Sequence, residues 1–339
     1  MIGRSFYKMG DLRYFWSFVE YSINVRKVMK KNCRVGVVQA CPALFDLNTS
    51  IEIAIDWIKK GQEAGCELLL FPESFLPAYP RGLRFDAVVG RRSEASRIAW
   101  RRYWEQCVDP SSDVLAPLQA AIKEAGIYVA LGVTEREPLG GSLYCSLLYF
   151  DHEGKLVGKH RKLKPTGLER YLWAEGNGSD LGPLSTPLGR VGGLICWENY
   201  MPLARMALYQ AGVEIYLAPT ADARPSWQAT MQHIALEGRC YVMGANQVVR
   251  KQDYPEEWQS DLAEEPEWMC EGGSVILSPQ GEVLAGPLWK QEGLLQADLD
   301  SQVLIQSKLD FDVRGHYARP DVFEFGIKVA QSDHAQYDK

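Results

Sequence analysis

The chain has 339 residues, 46% of them hydrophobic, which is ample for a large buried core. Its formal net charge is −6 and its lysines and arginines are scattered, which argues against a nucleic-acid-binding surface. Eight cysteines in a chain this long do not make a disulfide scaffold, there is no CxxC pair, and the five histidines lack zinc-ligand spacing.

Residues 1–33 read as an N-terminal extension. Leu12 to Ile23 is rich in aromatics but is interrupted by Arg13 and Glu20, so it suits neither a signal peptide nor a bilayer span. A dispensable segment is expected, with an amphipathic docking helix as the competing reading. The folded unit is expected to begin near Arg34, with Met29 as an alternative start, and to run as one domain over 34–312.

From Arg34 onward short apolar runs alternate with amphipathic stretches. RVGVVQA (34–40) reads as a buried strand, and Asn48 as the cap of a helix carrying Ile51, Ile55 and Ile58 up to Gly65. ELLLF (67–71) is a second strand, ending at Pro72-Glu73. Leu115 to Ala125 predicts a helix closed by Gly126, followed by the strand IYVALGV (127–133). SLYCSLLYF and KLVGKHRK flank the turn Asp151-His152-Glu153-Gly154, a hairpin. VGGLIC (191–196) is the next strand, then a helix from Pro202 to Ala211, the strand VEIYLAP, a helix from Trp227 to Glu237 and the strand YVMGANQV. GSVILSP and EVLAG form a second hairpin, and GLLQADLD a last strand. The acidic stretch Asp253 to Glu271 lacks periodicity and is expected to be a surface loop. Residues 313–339 are expected to be an extended tail, disordered or packed on a partner subunit. Crossovers mixed with hairpins predict an α/β protein with mixed sheets covered by helices.

Three residues sit where strands stop. Cys196 closes an apolar strand and is followed by Trp197-Glu198-Asn199, read as a helix start whose backbone N–H groups would lower the thiol pKa and hold developing negative charge. Glu73 follows Phe71-Pro72 at a strand end, and Lys162 ends the strand that begins at Lys155. Each has a plainer reading: a core thiol, a solvated loop glutamate, one lysine in a basic face.

FPES (71–74), HRKLKPTGLER (160–170) and ICWENYMP (195–202) together resemble the glutamate–lysine–cysteine signature of the nitrilase superfamily. The resemblance continues through APTAD (218–222), HIALEG (233–238), GGS (272–274), SPQGEVLAGP (278–287) and GHYARPDVF (315–323), spanning about residues 34 to 325. It implies a four-layer αββα sandwich with two mixed central β-sheets. It implies Glu73 as general base, Lys162 as stabiliser of the intermediate, Cys196 as nucleophile and Glu169 as the second glutamate that assists. The backbone N–H of Trp197 is implied as an electrostatic donor beside the substrate pocket. Tyr79 and Trp173 fall where relatives have aromatic pocket walls, although core or surface aromatics fit those positions equally.

The chemistry implied is hydrolysis of organic nitriles to carboxylic acid and ammonia, with water as co-substrate and no metal or organic cofactor. Amidase or carbamoylase activity, or action on cyanide or cyanoalanine, would use the same constellation. The flanking motifs favour the nitrilase branch. A homo-oligomer built from dimers, in some relatives a spiral or filament, is implied too, and cysteine usage points to a reducing cytoplasm. Neither a membrane nor a nucleic acid is expected as a partner.

Overall fold

A computed structural model describes residues 29–328. Its first strands are β1 (Asn32–Gln39), β2 (Leu68–Leu70), β3 (Tyr128–Arg136), β4 (Leu143–Phe150) and β5 (Leu156–Arg161). A second set follows: β6 (Leu184–Thr186), β7 (Gly189–Gly193), β8 (Ile215–Thr220), β9 (Tyr241–Asn246), β10 (Val248–Arg250), β11 (Trp268–Leu277) and β12 (Val283–Trp289). The last strand, β13 (Gly293–Asp300), returns to pair antiparallel with β1, from Asn32 opposite Asp300 to Gln39 opposite Gly293. Among the described residues these make a six-stranded sheet in the order β13-β1-β2-β3-β4-β5 and a seven-stranded sheet in the order β10-β11-β9-β8-β7-β6, with β12 on β11.

Residue alternation explains why the two sheets stack. Successive side chains of a strand point to opposite faces. Val35, Val37, Leu68 and Leu70 from the first sheet share one core with Ile215, Leu217, Tyr241 and Met243 from the second. The residues between them point outward. Leu69 and Val129 pack under the helices α1 (Leu47–Glu63) and α3, which runs Ala116–Ala125. On the other side, Tyr216, Ala218 and Val242 pack under α4 (Pro202–Gln210) and α5 (Pro225–Gly238). The layers are therefore helix, sheet, sheet, helix: the expected four-layer αββα sandwich. The helix α2 (Glu94–Gln106), capped by Ser93, buries only Tyr103 and leaves too thin an apolar stripe to read from the sequence.

Several local expectations are corrected. The cap of α1 is Asp46, whose carboxylate accepts from the Thr49 amide at 3.1 Å and hydroxyl at 2.8 Å, while Asn48 lies inside the first turn. The acidic stretch is not a free surface loop. It turns through the 3-10 segment Glu256–Leu262 and buries Tyr254, Trp258 and Leu262 before β11 begins at Trp268. Tyr254 and Trp258 stack on Phe45 at centroid distances of 6.0 and 5.6 Å. Ahead of Arg34, Met29 is buried and the Lys30 amide donates to Leu188 O at 3.3 Å. The aromatic stretch Leu12 to Ile23 lies outside the described residues, as does the end of the tail. Residues 311–328 form turns and extended chain with Tyr317, Val322 and Phe323 exposed.

Candidate active site

Strand direction decides which residues can meet. β2 and β3 are parallel, β4 reverses and β5 reverses again, so the carboxyl ends of β2 and β5 lie at one edge of the first sheet. In the second sheet β7, β8 and β9 are mutually parallel and share an edge in the same way. Glu73 and Lys162 follow β2 and β5; Cys196 follows β7, and Thr220 ends β8.

Glu73 is fully buried, on a segment pressed against β3. Gly132 makes the approach possible: a Cβ there would stand 2.0 Å from Pro72 O and 2.8 Å from Ser74 N. The backbone then turns through Ser74 at φ 48°. Gln247 secures it by donating from Nε2 to Glu73 O at 2.8 Å.

Lys162 is equally buried, and its ammonium bridges two carboxylates. Nζ donates to Glu73 Oε1 at 2.6 Å and to Glu169 Oε2 at 2.8 Å. Glu169 is held from its other side, accepting from the Tyr79 phenol on Oε1 and the Thr166 amide on Oε2, both at 2.7 Å. Burial works against charge on Lys162, but Glu73, Cys196, Cys145 and Glu169 together outweigh it and keep the ammonium pKa well above its ordinary value. Burial likewise raises Glu73 above the usual carboxylate range, with Lys162 opposing. Its second oxygen, Oε2, has no hydrogen-bond partner among the described residues, while Oε1 also accepts from the Cys145 thiol at 3.5 Å and Cys196 helps hold the carboxyl pKa down.

Cys196 is not the first residue of an α-helix. It opens a 3-10 turn, Cys196–Tyr200, and α4 starts only at Pro202. At φ 52° it occupies the left-handed region, which costs a non-glycine residue energy and marks an enforced elbow. Asn199 enforces it: Nδ2 donates to Cys196 O at 2.8 Å and Leu194 O at 2.9 Å, and Oδ1 accepts from the Tyr216 phenol at 2.7 Å. The thiol pKa is raised, not lowered as expected. Burial dominates, Glu73 adds to it, and Lys162 and the Thr220 hydroxyl oppose, the latter donating to Sγ at 3.1 Å. A thiol in that setting keeps its proton until a base takes it.

A cavity of about 350 Å³ reaches Cys196. Tyr79, Glu169, Cys196 and Trp197 line it, together with Asp222 and residues at the start of β11. Trp197 is 41% exposed, its indole donating to Asp222 Oδ2 at 3.0 Å. Trp173 does not reach the cavity. It is buried behind Tyr79, ring centroids 5.6 Å apart and 72° inclined, and backs the wall instead of forming it.

The carbon–nitrogen hydrolase family model matches residues 34–308. An aliphatic nitrilase of Sinorhizobium fredii (strain HH103) is 46% identical over 295 residues, 87% of this chain and 95% of that protein. The chain belongs to the carbon–nitrogen hydrolase family, in its nitrilase branch. A bifunctional nitrilase/nitrile hydratase of Nicotiana tabacum is 44% identical over 311 residues, 89% of this chain and 86% of that protein. Nit3 of Saccharomyces cerevisiae superposes with a TM-score of 0.68 at 18% identity, covering 86% of this chain and 98% of that one, a likeness of fold alone.

In this nitrilase-branch chain the structure brings Glu73, Lys162, Glu169 and Cys196 together, with Tyr79 and Trp197 at the cavity wall. Thr220, Asn199 and Gln247 are site residues that motif reading passed over. Thr220 lies inside APTAD and Asn199 inside ICWENYMP, so their blocks were visible while their atoms' targets were not. Among the described residues no cluster of histidine, cysteine and carboxylate could hold a metal, and no helix is long and apolar enough to cross a membrane.

Proposed function

We propose that the protein is a nitrilase that converts organic nitriles to carboxylic acids and ammonia through a covalent Cys196 intermediate. The observation that carries this reading is the Lys162 ammonium held between Glu73 and Glu169, at 2.6 and 2.8 Å, with Glu169 and Cys196 lining one cavity. The activities named for the Sinorhizobium fredii and Nicotiana tabacum relatives support it, given their identities of 46% and 44%.

Each residue has a step. Glu73 takes the thiol proton as Sγ bonds to the nitrile carbon, one π bond breaks, and the proton passes to nitrogen to give a thioimidate. The Lys162 ammonium and the Trp197 backbone N–H offset the negative charge that gathers during attack. Water then gives its proton to Glu73 and adds to the thioimidate carbon, with Glu169 orienting water and lysine. Expulsion of ammonia leaves a thioester, and a second water releases the acid and restores the thiol. If the tetrahedral intermediate expels sulfur instead, the product is the amide. Each general acid–base contribution is worth about 10²–10⁴-fold.

Ammonia and amide release from a panel of aliphatic, aromatic and arylacetonitrile substrates, beside their parent amides, tests the proposal. Wild type should release ammonia from nitriles, and Cys196→Ala should not. Equal release by both proteins sinks the assignment, and faster turnover of amides than of parent nitriles replaces it with an amidase. A cytoplasmic homo-oligomer with the dimer as building unit, extending to spirals or filaments, completes the proposal. The eight unpaired cysteines support a reducing compartment. A fully active monomer in size-exclusion chromatography would contradict the assembly.

A further inference from the structure

Lys162 and Cys196 come from different sheets, so their mutual placement needs something that spans both. Glu198 does. Its carboxylate is buried and accepts from two main-chain amides: Ile195 N on Oε2 at 2.7 Å and Leu163 N on Oε1 at 2.6 Å. Ile195 immediately precedes Cys196, and Leu163 immediately follows Lys162. His160, also buried, places Nε2 3.0 Å from Glu198 Oε2 and Nδ1 3.1 Å from Asp180 Oδ1. Asp180 then accepts from Arg161 N on Oδ2 at 2.9 Å. The amides on both sides of Lys162 thus end on carboxylates, and one imidazole joins those carboxylates.

Both ring nitrogens of His160 face acceptors, which calls for an imidazolium donating at each end. Burial opposes that charge, yet Glu198 and Asp180 outweigh it and raise the pKa to about 10. Buried ionic groups of this kind are weak sources of net stability, and their best-attested use is to fix a register. All three side chains are spent on main-chain amides and on one another, which suits them to hold the backbone in place.

We infer that Glu198, His160 and Asp180 are positioning residues, a clamp that fixes the Cys196 elbow against the Lys162 peptide across the two sheets. The inference rests on the roles proposed above for those two residues. Misplacing a reacting group by about 1 Å costs on the order of 10²-fold in rate, so the clamp acts on turnover more than on substrate binding.

The conservative variants have opposite expectations. Asp180→Asn keeps an oxygen for Arg161 N and offers its amide to Nδ1, which accepts once His160 is the neutral Nε2–H tautomer. Glu198→Gln cannot comply, because its amide nitrogen must face one of the two main-chain donors. The experiment measures kcat and KM on a nitrile that wild type turns over, the iodoacetamide alkylation rate of Cys196, and the thermal melt by circular dichroism.

His160→Ala, Glu198→Gln and Asp180→Ala should lose about 10²-fold in kcat with KM little changed and a folded spectrum at the assay temperature. Asp180→Asn should stay close to wild type. Folded His160→Ala and Glu198→Gln proteins with wild-type kcat would overturn the clamp, as would Asp180→Asn falling as far as Asp180→Ala. If the first two variants do not fold, the Asp180 pair decides. If wild type hydrolyses no nitrile, the functional reading fails by itself. The alkylation rates then judge the clamp, slower in Asp180→Ala than in Asp180→Asn if it holds and equal in the two if it does not.

Discussion

The Tyr79 phenol donates to Glu169 Oε1 at 2.7 Å, so one wall of the cavity and one carboxylate of the site are held by the same bond. Tyr79→Phe keeps the ring against Trp173 and removes only that donor. A hydrogen bond to a charged group is worth about 1.5–3 kcal/mol, so kcat should fall on the order of 10-fold or more. Steady-state kinetics on one good nitrile measures it. An unchanged kcat would mean Glu169 is held adequately by Lys162 and Thr166.

Removing the ammonium should damage both fold and function. Lys162→Met leaves the buried Glu73 carboxylate facing the half-buried Glu169, and breaking a buried ion pair typically costs about 3–5 kcal/mol. Urea titration should show the loss, alongside a drop in kcat of at least about 10²-fold. The double variant Glu73→Gln/Lys162→Met should regain much of the stability and none of the activity. Recovered activity in that double variant would remove both residues from the mechanism.

Thr220 is the one protein hydroxyl that donates to Sγ among the described residues, at 3.1 Å. Thr220→Val is nearly isosteric and deletes that donor, which disfavours the thiolate. Iodoacetamide should alkylate Cys196 about 10-fold more slowly at fixed pH, equivalent to about 1.4 kcal/mol. Equal rates would show that the hydroxyl does not stabilise the thiolate.

The pH profile should carry the mark of Glu73. Its pKa is raised above the ordinary 4.5, chiefly by burial. A base must be ionised to accept a proton, so kcat/KM should fall as pH drops through that raised value. The acid limb belongs above pH 4.5, and a midpoint at or below 4.5 would contradict the assignment.

His160 predicts a separate trend, in stability. Its folded pKa of about 10 lies above the ordinary 6.5, so the folded state holds a proton that the unfolded chain releases. Its contribution is complete below about pH 6.5 and is lost as pH rises through about 10. Between those limits the wild-type melting temperature should fall more steeply than that of His160→Ala. Parallel slopes would show that the imidazolium is not tied to folding.

Much of this arrangement was legible because strands announce themselves twice, by β-branched runs and by the residue that stops them. Pro72 after β2 and Pro165 beyond β5 are enough, from the sequence alone, to place Glu73 and Lys162 at a sheet edge. Asn199 and Gln247 were not legible, since an amide's targets depend on how distant segments pack. The Tyr254–Trp258–Leu262 anchor is a different case. Its spacing of four is helical and could be read, but the surrounding charges masked it. The thiol pKa was misjudged for a related reason: a motif shows the donors beside a cysteine and not the depth to which packing buries it.

The division of the site between sheets has a consequence for how activity arises during folding. Glu73 and Lys162 hang from one sheet, Cys196 and Thr220 from the other, and neither half holds a complete set of reacting groups. A chain with only one sheet formed is chemically inert, however native its local structure. Turnover is therefore a sensor of docking: it switches on when the two sheets close on each other over their shared core.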